Sequence, residues 1–141
     1  MQTFLPYPDY RLSASVLDMK RLGKQRVETW QIVQALTIPG YGWKNHPAVK
    51  MWTGHVPALV EYGIAIVEEW RVRGFKDTML PRFQGIADPQ NAIAPYWLGD
   101  AGFHAAHRSK LLSKNFDWYS KYGWAELPNL EYVWPGIKSE L

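Results

Sequence analysis

The stretch WTGHVPALVEYGIAIVEEWRVRG, residues 52–74, decides the fold, because its large apolar side chains recur every three or four positions. This spacing is typical of a helix with one buried side, and no other segment of the chain is as apolar. Gly74 is the kind of residue that ends a helix, and Pro57 is expected to kink or divide the region. We therefore expect the core to form around this segment. The residues of the apolar series are Trp52, Val56, Leu59, Gly63, Ile66 and Trp70.

The segment before this central region carries a second helical pattern. Ser13 and Ser15 are both suited to cap a helix that continues to Leu36, and the loop TIPGYGW, residues 37–43, follows it. Asn45 is suited to cap the central region. The sequence therefore predicts one long helix, a loop rich in helix breakers, and then the central helical region.

The segment after the central region is more broken. Four prolines and glycines in residues 75–95 predict an irregular connection with one helical turn. Asp100 is suited to cap a helix that runs to about Ser113, and Asp117 a short helix that Gly123 closes. No part of the chain alternates with the period of two that a strand requires. We therefore predict an all-α fold, a compact helical domain of three main helices with long irregular connections.

The composition limits the possible functions. The chain has 141 residues, 47% of them hydrophobic, which suits one folded domain over residues 1–141. It has no cysteine, so disulfides, thiolate metal sites and cysteine nucleophiles are excluded. No apolar run approaches the length of a membrane span, and the N-terminus lacks the layout of a signal peptide. We expect a monomeric, cytoplasmic protein that needs no metal or cofactor.

Positive charge is concentrated in two clusters, although the net charge is only +3. Four cations lie between Lys20 and Arg26, and four more between Arg108 and Lys121. The second cluster is interleaved with aromatic residues, and a nucleic-acid surface uses cations for phosphates and rings for bases. From the charges alone, a nucleic-acid surface and two solvated helix faces are both open. The aromatic residues are Phe116, Trp118, Tyr119 and Tyr122.

Glu28 is the one acid within the stretch RLGKQRVETW, residues 21–30. On a helix it lies in the cationic face. It is either an ion-pair partner of Lys24 on a solvated surface or a carboxylate placed where DNA docks. Arg26 shares the apolar side of the same helix. That position indicates either a side chain at the edge of the core or a guanidinium that contacts a phosphate.

The histidines are candidates for phosphate contact rather than for metal binding. His104, His107 and Arg108 share one face of a predicted helix. Thiolates are absent and the adjacent guanidinium repels a cation, so phosphate is the favoured ligand. His46 and His55 flank the start of the central region, where each is either a structural or a functional residue.

Three segments of the chain carry a resemblance to a known family. The first is LDMKRLGKQRVE, residues 17–28, and the second pairs His55 and Val56 with VEEWRVRGFKDT, residues 67–78. The third is HRSKLLSKNFDWYSKYG, residues 107–123. They resemble, in order, the first helix, the central helix and the C-terminal basic and aromatic block of the pyrimidine-dimer DNA glycosylases, the phage endonuclease V group with its small bacterial relatives. The resemblance implies a compact helical fold and the repair of damaged DNA.

The mechanism that this resemblance implies is base removal by nucleotide flipping. Double-stranded DNA is bent, a damaged or modified pyrimidine leaves the stack, and the bond to its sugar C1′ is broken. The resemblance assigns to Glu28 the role of the catalytic carboxylate, which faces positive charge developing on the sugar. Base stacking is assigned to Trp118, Tyr119 and Tyr122, and at least one of these rings is expected instead to cover the hydrophobic core. Together with the basic clusters, the resemblance assigns DNA contacts to Arg21, Lys24, Gln25, Arg26, His46, His107, Arg108, Lys110, Lys114 and Lys121.

The N-terminus leaves the type of reaction open. In the family the nucleophile is the α-amine of the first residue after methionine removal, and an amine permits strand cleavage by an AP-lyase step. Here Gln2 follows Met1, so the methionine is expected to stay in place. Either the Met1 amine is the nucleophile, or Gln2 and Glu28 support a glycosylase that uses water and does not cut the strand. The further alternatives are a glycosylase for another modified pyrimidine and a non-catalytic DNA-binding module, the latter suggested by the retained Met1 and by Val27 where the family has an arginine. A third alternative is an RNA-binding or purely structural helical protein.

Overall fold

The computed structural model describes residues 1–135, and over this range the chain is helical and contains no strand. The all-α prediction is therefore confirmed. The α-helices are α1 (Tyr10–Val16), α2 (Met19–Thr37), α3 (Pro47–Lys50), α4 (Val56–Val72), α5 (Leu80–Gly85), α6 (Ala101–Lys114) and α7 (Phe116–Tyr119). The three longest, α2, α4 and α6, are the three main helices expected from the sequence. Two short 3-10 turns, Pro89–Asn91 and Ser120–Tyr122, follow α5 and α7.

Helix α4 is the centre of the core and packs against α1, α2 and α5. Its apolar residues Leu59 and Ile66 are fully buried, as the spacing predicts. Pro57 lies in the first turn of α4, where a missing N–H is tolerated, so it helps to begin this helix and does not kink it. The central helical region predicted from the sequence is divided before Pro57, between α3 and α4. Gly74 follows the last residues of α4 with a φ of 92°, which confirms its predicted role at the helix end.

Gly63 lets helix α5 approach helix α4 closely. A Cβ atom on residue 63 would lie 2.4 Å from Cε1 of the buried Phe83 ring. Real Cβ atoms do not come this close to carbon, so the backbone of α4 and the ring share a contact that only glycine permits.

Substituting this glycine is expected to destabilise the fold. Gly63→Ala should lower the free energy of unfolding by about 1–3 kcal/mol, because the Phe83 ring has to move out of a packed position. Urea unfolding measures the change. The matched control is Gly102→Ala in α6, whose new Cβ would meet only Asp100 Oδ2, at 3.5 Å. An equal loss in both variants would contradict the packing argument.

The single long helix predicted from Ser13 or Ser15 to Leu36 is wrong, because the chain breaks into α1 and α2. Leu17 and Asp18 are extended, with ψ angles of 138° and 160°. The buried Tyr119 holds the break: its hydroxyl accepts from the Asp18 N–H at 3.0 Å and donates to the Asp18 carboxylate at 2.5 Å. A contact made 101 residues away leaves no trace in local periodicity.

Of the caps at α1, α3, α6 and α7, one is the predicted residue and three are different residues. The side chain of Asp9, not of Ser13 or Ser15, caps α1, and Asp100 caps α6 as predicted. His46 rather than Asn45 caps the short α3. At α7 the cap is Asn115, two residues before the predicted Asp117. The connection over residues 75–95 holds α5 and a 3-10 turn, more helix than the single turn expected.

Candidate active site

The first six residues form a mostly buried segment without regular secondary structure, whose backbone is bound by side chains of the helices. Gln25 of α2 is its main partner: Nε2 donates to the Gln2 carbonyl oxygen at 2.6 Å, and Oε1 accepts from the Phe4 N–H at 2.8 Å. The hydroxyl of Tyr62, from α4, lies 2.8 Å from the Phe4 carbonyl oxygen and 2.7 Å from Gln25 Oε1. The N-terminus is therefore fixed by the two helices that form the core.

Two histidines of α6 hold the next residue of this segment from both sides. His107 Nδ1 accepts from the Leu5 N–H at 2.9 Å, and His104 Nδ1 lies 2.8 Å from the Leu5 carbonyl oxygen. His104 Nε2 accepts from the Gly99 N–H at 2.9 Å, so its Nδ1 carries the proton that is donated to Leu5. Burial lowers the pKa of His107 to about 3 and lowers the pKa of His104 as well. Both imidazoles are neutral structural groups.

This arrangement predicts that stability falls in mild acid. The unfolded His107 binds a proton near its ordinary pKa of 6.5, whereas the folded one resists protonation down to about 3. Stability is therefore complete above pH 6.5 and is lost as the pH falls towards 3, by about 1.4 kcal/mol per pH unit for this group. In His107→Asn, whose amide oxygen can replace Nδ1 as acceptor, urea unfolding between pH 4 and 6 should show a slope smaller by about that amount. An unchanged slope would show that His107 does not carry the effect.

The N-terminal segment begins in a cleft of about 390 Å³ that also contains Glu28. The Glu28 carboxylate accepts from the Gln2 N–H at 3.3 Å and from Gln25 Nε2 at 3.3 Å. Because Gln25 also holds Phe4 and Gln2, one buried side chain positions both the carboxylate and the chain terminus. The residues that line the cleft are Met1, Gln2, Phe4, Lys20, Arg21, Lys24, Gln25, Glu28, Lys114 and Tyr132.

Cations surround the carboxylate on two sides. Lys20 and Lys24 come from α2, and Lys114 from the end of α6. Within residues 1–135 these three lysines have no ion-pair partner within 4.0 Å. Arg21 differs, since its guanidinium pairs with Asp18 at 3.0 Å and is largely buried. The cleft thus offers three uncommitted positive charges to an anion.

The N-terminal amine lies close to the carboxylate. Consecutive backbone nitrogens are at most about 3.7 Å apart, so the Met1 nitrogen lies within about 7 Å of the Glu28 oxygen that accepts from Gln2. His46 is near both groups. Burial lowers the pKa of this imidazole, the positive amine lowers it further, and Glu28 opposes them. Its Nδ1 accepts from the Ala48 N–H at 3.0 Å, so this predicted DNA contact is also the cap of α3.

Sequence reasoning missed three residues that line the cleft: Phe4, Lys20 and Tyr132. Lys20 belongs to the predicted basic cluster. Phe4 lies in the N-terminal segment and Tyr132 in the C-terminal tail, neither of which has a periodic pattern. Ser109 binds this tail to α6, because its hydroxyl donates to the Leu127 carbonyl oxygen and accepts from the Leu130 N–H at 2.9 Å. Burial raises the pKa of Tyr132 to about 12, so its hydroxyl stays protonated beside the carboxylate.

Besides Arg21 and His46, four more of the predicted DNA contacts are committed to the protein itself. The Gln25 and His107 side chains are buried and hold the N-terminal segment, so neither is available to a phosphate. Arg26 pairs with the buried Asp77 at 2.5 Å and lies 4.5 Å from the centre of the Trp70 ring. This contact favours the core-edge interpretation of Arg26. Arg108 pairs with Glu126 and donates to the Pro6 carbonyl oxygen.

The C-terminal aromatic residues pack on the junction of α1 and α2. Tyr119 is fully buried, so its predicted stacking on a base is wrong. Trp118 donates through Nε1 to the Val16 carbonyl oxygen at 2.8 Å and is covered by Lys121, whose Nζ lies 3.4 Å from the ring centre. Tyr122 packs beside Trp124. Stacking by Trp118 and Tyr122 and phosphate contacts by Lys110 and Lys121 stay predictions, and none of these four residues lines the cleft.

The described part of the chain, residues 1–135, has neither a metal-binding cluster nor a membrane-spanning helix. No group of three or more histidine, aspartate and glutamate side chains there could hold a metal ion. Among its helices, none combines the length and the apolar character that crossing a membrane requires.

Comparison with known proteins identifies the family. No curated protein and no solved structure matches the chain significantly. The sequence model of the family described as pyrimidine dimer DNA glycosylase matches residues 1–81, more than half of the 141 residues. The match includes Met1, Gln25, Glu28 and all of α4, and it ends before the C-terminal segment 107–123. Glycosylases of this kind act on damaged DNA. The chain belongs to the pyrimidine dimer DNA glycosylase family.

Proposed function

We propose that this protein flips a pyrimidine dimer out of duplex DNA into the cleft and removes its base, with Glu28 as the catalytic carboxylate and the α-amine of Met1 as the nucleophile. One observation carries the proposal: Glu28 and the first residue of the chain share one cleft, surrounded by lysines that have no partner in the described structure. The carboxylate and the amine serve different steps of the reaction.

Glu28 is suited to the step that breaks the glycosidic bond. Positive charge develops on the sugar as the base leaves, and a fixed carboxylate stabilises that charge without moving. Two N–H donors, from Gln2 and Gln25, hold one carboxylate oxygen in place. Gln2 belongs to the buried N-terminal segment, and Gln25 is hydrogen-bonded to that segment. The carboxylate is therefore held in place before the substrate arrives.

The Met1 amine is suited to the step that captures the sugar. Its nitrogen forms a bond to C1′ as the bond from C1′ to the base breaks, and the base takes the electron pair of that bond. The base stays joined to the neighbouring pyrimidine through the dimer, so base release denotes cleavage of this glycosidic bond. Glu28 shares the cleft with the amine and can accept, through a bridging water, the proton that the amine loses. Opening of the sugar ring then gives an imine, and loss of a proton from C2′ expels the 3′ phosphate by β-elimination. This final step is the AP-lyase activity.

The three lysines are suited to bind the backbone on either side of the flipped nucleotide. Lys20 and Lys24 lie one helical turn apart on α2, and Lys114 approaches from α6. Each phosphate contact releases counterions, so binding should weaken steeply as the salt concentration rises. This placement keeps the positive charge around the carboxylate, where the damaged strand has to enter.

Borohydride trapping tests the amine as nucleophile. Enzyme, dimer-containing duplex and borohydride should give a covalent adduct that mass spectrometry of peptides locates at Met1, because only an imine is reduced to a stable amine. The intact mass of the free enzyme establishes that Met1 is its first residue. One additional glycine before Met1 should abolish the adduct, whereas Lys24→Ala at saturating enzyme should keep it. An adduct on Lys20 or Lys24 would refute the role of Met1. Base release without an adduct, with strand breaks only after alkali, would show the water-using reaction.

A further inference from the structure

The connection between α2 and α3 presents one large aromatic side chain to solvent. Trp43 is 60% exposed and has a φ of 73°, in the left-handed region that bulky residues rarely adopt. Within residues 1–135 it is the only non-glycine residue with a positive φ. Core packing does not account for this conformation, because most of the indole lies outside the core.

Both ends of this loop are fixed to the helices. The Tyr41 hydroxyl donates to Gln34 Oε1 on α2 at 3.1 Å. On the other side, the His46 N–H donates to the Trp43 carbonyl oxygen at 2.8 Å, and the His46 ring caps α3. The loop is therefore a braced turn, and the indole is presented in a defined position.

A row of rings connects Trp43 to the cleft. The centre of its ring lies 6.2 Å from that of His46, and His46 lies 6.1 Å from Trp134. Trp134 in turn lies 5.3 Å from Tyr132, which lines the cleft. The charges of the Met1 amine and of Glu28 also act on the His46 imidazole that lies beside Trp43.

We propose that Trp43 is a wedge that enters the duplex and fills the gap left in the base stack when the damaged nucleotide enters the cleft. This inference rests on the proposed function, because only base flipping creates such a gap. A flat apolar ring on a braced turn is suited to this position, since side chains inserted between base steps hold DNA in the unstacked state. The exposed Lys44, next in the chain, can meet a phosphate beside the gap.

The wedge predicts a defect that depends on the state of the DNA. In single-turnover assays, Trp43→Ala should release the base from a fully paired duplex about 10–100-fold more slowly than wild type, as expected for the loss of one stacking contact. It should act within about threefold of wild type on a dimer held in an unpaired bulge, where no stack has to be opened. Trp43→Phe should keep most of the duplex activity. The matched control is Tyr96→Ala, which removes an exposed ring from another loop (78% exposed) and should match wild type.

A second measurement separates this inference from the proposed function. With 2-aminopurine beside the dimer, binding of wild-type protein should quench the fluorescence as the indole stacks on it, and Trp43→Ala should not. Quenching that depends on Trp43, without any base release, would refute the proposed catalysis and would still support the role of Trp43 as a wedge. The wedge is overturned if Trp43→Ala equals wild type on the paired duplex, or if it slows both substrates equally, which indicates a structural role.

Discussion

Replacing Glu28 with glutamine is expected to slow base release by about 10³-fold, because a neutral amide cannot stabilise the positive charge on the sugar or accept a proton. DNA affinity should stay the same or rise slightly, since one negative charge is removed from a cationic cleft. Glutamine keeps the size of the side chain and an oxygen for the Gln2 N–H. Single-turnover base release and a fluorescence binding assay, on the same dimer-containing duplex, measure the two effects separately.

The control for this variant is Glu131→Gln. Glu131 is also close to a cation, Lys110 at 3.6 Å, but its side chain is 90% exposed and it does not line the cleft. Both variants remove one negative charge, so both should bind DNA at least as well as wild type. Only Glu28→Gln should stop base release. Wild-type activity in Glu28→Gln would refute the assignment of Glu28, whatever its effect on binding.

The second large effect is expected from Gln25→Leu, which should lower the free energy of unfolding by about 3–5 kcal/mol. Leucine leaves the buried Phe4 N–H and the Gln2 carbonyl oxygen without their partners at 2.8 and 2.6 Å. Each unsatisfied buried group costs about 1–3 kcal/mol, and the whole fold of such a domain is stable by about 5–15 kcal/mol. Urea unfolding followed by circular dichroism gives the size of the loss.

Gln34→Leu is the matched control for the stability measurement. Gln34 lies on the same helix but accepts a single hydrogen bond, from the hydroxyl of the half-buried Tyr41. Its loss should cost about 1 kcal/mol or less. If the two variants lose equal stability, Gln25 does not have the special role in the N-terminal segment that its four contacts indicate. Gln25→Leu should also slow base release, because the Glu28 carboxylate loses one of its two donors.

The sequence predicts the core well because the core depends on local spacing. The apolar series of α4 and the Asp100 cap of α6 are both set by residues within a few positions of each other, and both predictions are confirmed. The family match supports the part of the resemblance that lies in residues 1–81. Each of these features depends on residues within one continuous stretch of the chain.

The features that the sequence did not predict depend on contacts between distant segments. Gln25 has the spacing of a surface residue, but the N-terminal segment covers it and turns it into a buried anchor. His107 has the spacing of a residue on the basic helix face, but its Nδ1 accepts a hydrogen bond from the N–H of Leu5, which lies 102 residues earlier in the chain. Tyr132 reaches the cleft only because Ser109 binds the tail. The periodicity of a helix shows which of its sides is apolar. It does not show which of its residues are covered by a distant segment that has no periodicity.

The hydrogen bonds of His104 and His107 to Leu5 have a consequence for the order of events during synthesis. The first residues of the chain are made at the start, yet their partners His107 and Arg108 come 102 positions later. At about 5–20 residues per second, the nascent N-terminus waits several seconds for α6 to leave the ribosome. Until then the chain already contains the helix with Glu28 but not the finished cleft. The cleft that contains Glu28 is therefore complete only after α6 has been made and has folded against the N-terminal segment.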